Sequence, residues 1–198
     1  MNSNKEQVKS FVRKRLMYWQ TETNVHLVRA DLANLRRGLG KKPGELPQLW
    51  ELLFRDFPEE MMSINGEATS AEWAVYGALT MYALHHQGAE VGEMHLDGQG
   101  IGIAVGTLVL RDAKRLNSIQ RRFNAFATAK GMPECMSHLR GLVQLLRSEE
   151  IPQDYVKLAG DLYEFQISDR AARVRLRWGQ DFYRIAPLKA ERKDDKYE

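Results

Sequence analysis

A single cysteine in 198 residues, Cys135, excludes an internal disulfide framework and any metal site built from cysteine alone. No apolar run reaches the roughly 20 residues that a bilayer-crossing helix needs, and no apolar segment follows the basic start of the chain. The expectation is a cytoplasmic protein without membrane contact. Strand signals are nearly missing as well. The segment from Ile101 to Leu110 is β-branched in places, but no period-two alternation with hairpin turns surrounds it. Charge of one sign is not in large excess either: 29 Lys and Arg against 26 Asp and Glu leave +3. That excludes a chain-wide polycation, while an isoelectric point near 9.0 leaves room for a local basic surface.

Residues arranged for catalysis are equally scarce. Asp154, Asp161 and Asp181 form no recognisable acid and base pair. Cys135 and His138 share a helix face at i, i+3, but nothing around them builds an oxyanion site, and a lone cysteine of this kind reads as packing. His85, His86, His95 and Asp97 fit no compact ligand pattern, because adjacent helical residues point about 100° apart. Gly98, Gly100, Gly102 and Gly106 lack the preceding strand that a dinucleotide-binding loop requires, so they read as small residues for close helix packing. The expectation is a protein that is not an enzyme and uses no cofactor or metal.

Helical spacing dominates what is present. Val8, Phe11, Val12, Arg15 and Trp19 predict a helix over about 5–20, and Val28, Leu32, Leu35 and Leu39 one over 25–39. Pro47 opens a short helix that Pro58 closes, and Thr69 or Ser70 caps one that runs to about Gly88. Further helices follow through Ala104 and Leu108, from a cap near Asn117 through Phe123, from Pro133 through Leu146, after Pro152 through Phe165, and over about 169–184. The reading is all-α, with two small helical bundles, 1–88 and 101–187, joined by a glycine-rich linker over 89–100. A charged tail over 188–198 completes the chain.

The charges are segregated along these helices. Arg29 and Arg36 flank the apolar face of the second helix, Arg37 follows, and Lys41 and Lys42 stand at its glycine-broken exit. Between Arg111 and Arg140 seven cations, Arg111, Lys114, Arg115, Arg121, Arg122, Lys130 and Arg140, face only Asp112 and Glu134. If one helical frame persists, Arg111, Arg115 and Arg122 share a surface. In the last helix Arg170, Arg173, Arg177 and Arg184 line the side away from Trp178 and Phe182. Ordinary solvated faces would also look like this, yet arginine forks suit phosphate oxygens, and three such elements predict a sequence-tolerant, salt-sensitive contact with nucleic-acid backbone.

The order of motifs narrows the reading further. Arg29-Ala-Asp-Leu-Ala-Asn-Leu-Arg-Arg-Gly-Leu-Gly-Lys-Lys-Pro-Gly-Glu45, Gln-Arg-Arg-Phe at 120–123, His-Leu-Arg at 138–140, Pro-Gln-Asp-Tyr with Leu-Ala-Gly-Asp-Leu within 152–162, and Arg-Trp-Gly-Gln-Asp-Phe-Tyr at 177–183 together resemble the CasB family. That family supplies the small subunit of the type I-E CRISPR interference complex, Cascade. The resemblance spans about Trp19 to Tyr183. It implies a non-catalytic, two-bundle helical protein that pairs head to tail with a second copy. It also implies contacts with the backbone and large subunits, the crRNA, and target DNA including the displaced strand of the R-loop. By position, Arg36 and Arg37, Arg121 and Arg122, and Arg140 match basic positions of the family, and Lys130 stands where members often carry a cation. The residues alone leave two other classes open. A stand-alone helical DNA-binding regulator would bind a palindromic site with sequence preference, and a purely protein-binding scaffold would show no nucleic-acid affinity even at low salt.

Overall fold

The computed structural model describes residues 4–88 and 93–186, and those residues form helices and turns with no strand. α1 spans Asn4–Thr21, α2 Val25–Arg37, α3 Trp50–Phe54, α4 Ser70–His85 and α5 Ile101–Arg111. α6 spans Leu116–Ala127, α7 Met132–Ser148, α8 Tyr155–Phe165 and α9 Ser168–Ile185. None of these helices is long and apolar enough to cross a membrane.

Local chemistry accounts for four of the helix starts. Asn24 Oδ1 accepts from the Leu27 N–H to open α2. At α4, Thr69 accepts from the Glu72 N–H while the Glu72 carboxylate accepts from the Thr69 N–H, a reciprocal cap that satisfies two otherwise unpaired donors. Pro133 sits in the first turn of α7, where its missing N–H costs nothing. Asp154 caps α8 through the Lys157 N–H at 2.7 Å.

Two of the predicted helices begin or continue differently. The 47–57 segment is a single tight turn, Pro47–Leu49, followed by only five residues of α3, which the extended Arg55 ends before Asp56 turns at φ 58°. The frame assumed for Arg111, Arg115 and Arg122 is broken earlier than Asn117. Asp112 takes an extended conformation and its side chain caps a new tight turn over 113–115, from which α6 starts.

α4 is apolar around nearly its whole circumference, and Ala71 through His85 are buried apart from Trp73, which is half-buried. A helix with no polar stripe must be surrounded. Accordingly α1, α2, α7 and α8 all pack on it, and α1 also lies along α8. Among the described residues, nearly all the buried apolar side chains of 4–88 and 101–186 belong to one continuous cluster. Trp19 stacks on Tyr82 of α4, and Phe126, Trp178 and Phe165 stack in series between α6, α9 and α8.

α5 meets α9 through glycine. A Cβ on Gly102 would collide with the Trp178 carbonyl and lie 2.8 Å from Asp181 Cβ, and one on Gly106 would lie 2.9 Å from the Phe182 carbonyl. The glycines at 102 and 106 therefore set the closeness of the two helices, as the small-residue reading expects.

Of the predicted linker, 89–92 lie outside the described residues, and 93–100 are fastened to the start of α8. The Leu96 N–H donates to the Gln153 carbonyl, the Gln153 N–H to the Met94 carbonyl, and the Gly98 N–H to the Asp154 carboxylate. The charged tail over 188–198 also lies outside the described residues.

Candidate nucleic-acid interface

α7 is about 25 Å long at 1.5 Å per residue, and its outward side is bordered by three shallow clefts. The first, about 390 Å³, lies between α4, α7 and the loop that leaves α2. Gly38, Leu39, Lys41, Lys42 and Glu45 line it with Trp73, Tyr76, Met81, Met136, Ser137 and Arg140. The second, about 350 Å³, shares Trp73 and Pro133 with the first and adds Lys130, Phe165 and Arg175. The third, about 290 Å³, shares Ser137 with the first and adds Arg121, Arg122 and His138. The shared walls make the three clefts one track along α7.

The loop that brings Lys41 and Lys42 to α7 is set by packing. The Tyr76 hydroxyl donates to the Gly38 carbonyl, and a Cβ at Gly38 would lie 2.8 Å from that hydroxyl and 2.9 Å from Leu49. Gly40 and Gly44 adopt φ of 84° and 83°, a backbone region that ordinary residues rarely enter, and so turn the chain around the lysines. Burial, with the Glu45 charge, pushes the Tyr76 hydroxyl up to about 12, so it remains a neutral donor.

Along this track cations outnumber the carboxylates that answer them. Lys41 pairs with Glu45 at 2.7 Å, and Glu134 lies 3.7 Å from His138 while accepting from the Lys130 N–H. Among the described residues no carboxylate pairs with the side chains of Lys42, Arg121, Arg122, Lys130 or Arg140, all of them exposed. Arg175 is exposed as well. It donates to the Ala127 carbonyl at 2.8 Å and stands 5.1 Å over the Phe165 ring.

A family model described as CRISPR-associated protein Cse2 matches residues 31–183. The chain belongs to the Cse2 family. Among solved structures it is similar to CasB from Thermobifida fusca, with 32% identity, a TM-score of 0.71, and coverage of 91% of this chain and 97% of that one. It is also similar to CasB of M. ruber, at 25% identity and TM-score 0.64 over 93% and 94% of the two chains. A chain described as a CRISPR RNA-guided surveillance complex shares the fold at 20% identity and TM-score 0.68, over 92% of this chain and 95% of that one. No curated protein matches in sequence.

Most of the other cations predicted for nucleic-acid contact have intramolecular tasks. Arg36 is half-buried and donates to the Ala83 carbonyl at 3.3 Å, satisfying one of the last carbonyls of α4. Burial and the Arg147 charge lower its pKa. Arg37 remains exposed, with Asn34 3.4 Å away. Arg111 donates to the Glu149 carbonyl and Arg115 pairs with the Glu149 carboxylate at 2.6 Å, so both clamp the end of α7, while Lys114 is exposed. Arg177 bridges Asp161 and Glu164 at 3.0 Å each, Lys5 reaches Glu164 at 2.9 Å, and Lys157 and Arg184 converge on Asp181. Burial raises the Asp161 pKa, and the bonds from Trp178 and Arg177 pull it partly back. This network ties α1, α8 and α9, and Arg177 and Arg184 line none of the three clefts.

Sequence reasoning missed Arg175, which lines the second cleft. It also missed the grouping of His95, Asp97 and Asp154, whose ligand atoms lie within 4.8 Å of one another. Their visible work is structural: Asp154 accepts from Gly98 and Lys157, and His95 Nδ1 accepts from the Tyr155 N–H. Cys135 is fully buried. Its burial, with Glu134 nearby, pushes the thiol up to about 12, which keeps it protonated and unsuited to nucleophilic attack.

Proposed function

We propose that this chain is the small subunit of a type I-E Cascade and holds nucleic-acid backbone along α7 during crRNA-guided DNA targeting, without performing chemistry. The single observation that carries the reading is the meeting of Lys41 and Lys42, Arg121 and Arg122, and Arg140 on one side of α7. They arrive from three segments distant in sequence. Such a strip suits phosphates because guanidinium forks and ammonium groups bind them without reading bases. R-loop formation exchanges one duplex for another at nearly balanced free energy, so a few phosphate contacts tip it towards the open state. The natural occupant is the displaced strand, with the crRNA, target strand, backbone and large subunits and a second copy of the chain as neighbours in the assembly.

Affinity for a single-stranded oligonucleotide as a function of salt tests this. Each phosphate contact contributes about 0.7 to the slope of log affinity against log salt, so Arg121→Ala, Arg122→Ala and Arg140→Ala together flatten it by about 2. Arg177→Ala with Arg184→Ala leaves the slope unchanged. Equal slopes for the triple variant and the wild type would contradict the assignment, and sequence-dependent affinity for a palindromic duplex would point to a regulator instead.

A further inference from the structure

The central cleft has a chemistry that backbone binding does not use. Its interior is apolar, with Tyr76 and Met81 as a buried floor and half-buried Trp73 and Met136 as walls. Lys42 and Arg140 at its edge are exposed, and among the described residues no carboxylate forms an ion pair with either, whereas Lys41 is answered by Glu45. At about 390 Å³ it falls within the range of small-ligand clefts, roughly 300–1,000 Å³. We infer that this cleft takes one unpaired base of a single-stranded nucleic acid, turned in against Trp73 and Met136 while its flanking phosphates lie on Lys42 and Arg140. The inference rests on the nucleic-acid reading above and deepens it.

Charge and shape both favour this occupant. An unpaired nucleotide is an apolar, flat base beside an anionic phosphate, which matches an apolar hollow with a cationic edge. Aromatic and thioether walls suit the face of a base. In a duplex each base is already stacked and paired, so the cleft distinguishes single strand from double strand. The floor offers a base edge few donors. The Tyr76 hydroxyl donates to the Gly38 carbonyl and the Thr80 hydroxyl to the Tyr76 carbonyl at 2.7 Å, so neither proton is left for a base acceptor.

The test compares two labelled 12-nucleotide single strands on the full chain, one intact and one abasic throughout with the same phosphates. The intact strand is expected to bind roughly five- to a hundredfold tighter, the scale of a stacked base. Trp73→Leu removes that ratio and leaves abasic affinity as it was. Ser137→Phe does the same from an exposed position, by filling the cleft without touching the core. Lys42→Glu with Arg140→Glu weakens both strands alike. Equal binding of intact and abasic strands, with the Lys42 and Arg140 variant still weakening both, would overturn the base site and leave the backbone reading standing. Absence of binding to either strand at low salt would overturn both readings. Tighter binding of a polyglutamate peptide than of either strand, lost in the same Lys42 and Arg140 variant, would overturn the base site and assign the cleft to an acidic protein segment.

Discussion

Arg140 and Arg177 look alike in the sequence, since each stands on the polar side of an amphipathic helix. In the fold Arg140 is exposed beside the α7 clefts, whereas Arg177 is held by Asp161 and Glu164 of α8. The difference lies in which helix packs alongside, and spacing within one helix says nothing of that. The same limit applies to Arg36, which closes the end of α4, and to Arg111 and Arg115, which clamp Glu149. Two buried histidines carry the clearest prediction at this scale. Burial lowers the pKa of both from 6.5 to about 4, helped by the charges of His86 and Arg147 at His85 and by that of His95 at His86. Between those values the unfolded chain binds more protons than the fold, so stability falls as pH drops from about 6.5 towards 4, and these groups contribute no change above 6.5. For one histidine the loss is on the order of 3 kcal/mol by pH 4. The urea midpoint at pH 7.0 and pH 4.5 checks this. His85→Gln keeps a polar group facing the Tyr155 hydroxyl, 2.7 Å from His85 Nδ1, and should narrow the fall. An identical fall in the variant would rule out His85 as a source.

At the scale of the elements, the sequence was legible wherever a helix carries its own signal. A cap at Thr69 or Ser70 for α4, Pro133 in the first turn of α7 and the apolar stripes of α2 and α9 follow from local chemistry that needs no tertiary partner, although the reciprocal Glu72 bond at Thr69 went unread. The break between α5 and α6 was less legible. Asp112 competes with helix continuation by bonding the Lys114 N–H, and a frame drawn through Arg111 and Arg122 misses that. Glycine in α5 weakens the helix by itself, and the fold compensates by letting α9 approach. Gly102→Ala should therefore destabilise the protein despite better helix propensity, by about 1–3 kcal/mol for an overpacked contact. Gly179→Ala, at a position open to space on α9, is the matched control. A denaturation midpoint for Gly102→Ala at or above the wild-type value would contradict the proposed role of that contact.

For the whole molecule, the family and the all-helical class were legible because both depend on the order and period of residues along the chain. The track beside α7 was not, because it is assembled from the exit of α2, one side of α6 and the outward stripe of α7 around a helix, α4, that solvent barely touches. Five cations of the sequence reading, Lys42, Arg121, Arg122, Lys130 and Arg140, come together there without a carboxylate partner among the described residues, while Arg36, Arg111, Arg115 and Arg177 bond within the fold itself. The most direct measurement is R-loop lifetime on a matched supercoiled target, in complexes reconstituted with the wild-type chain or with Arg121→Ala, Arg122→Ala and Arg140→Ala together. The account predicts a clearly shorter lifetime for the variant, with incorporation into the complex unchanged. An unchanged lifetime in a fully assembled variant complex would contradict it.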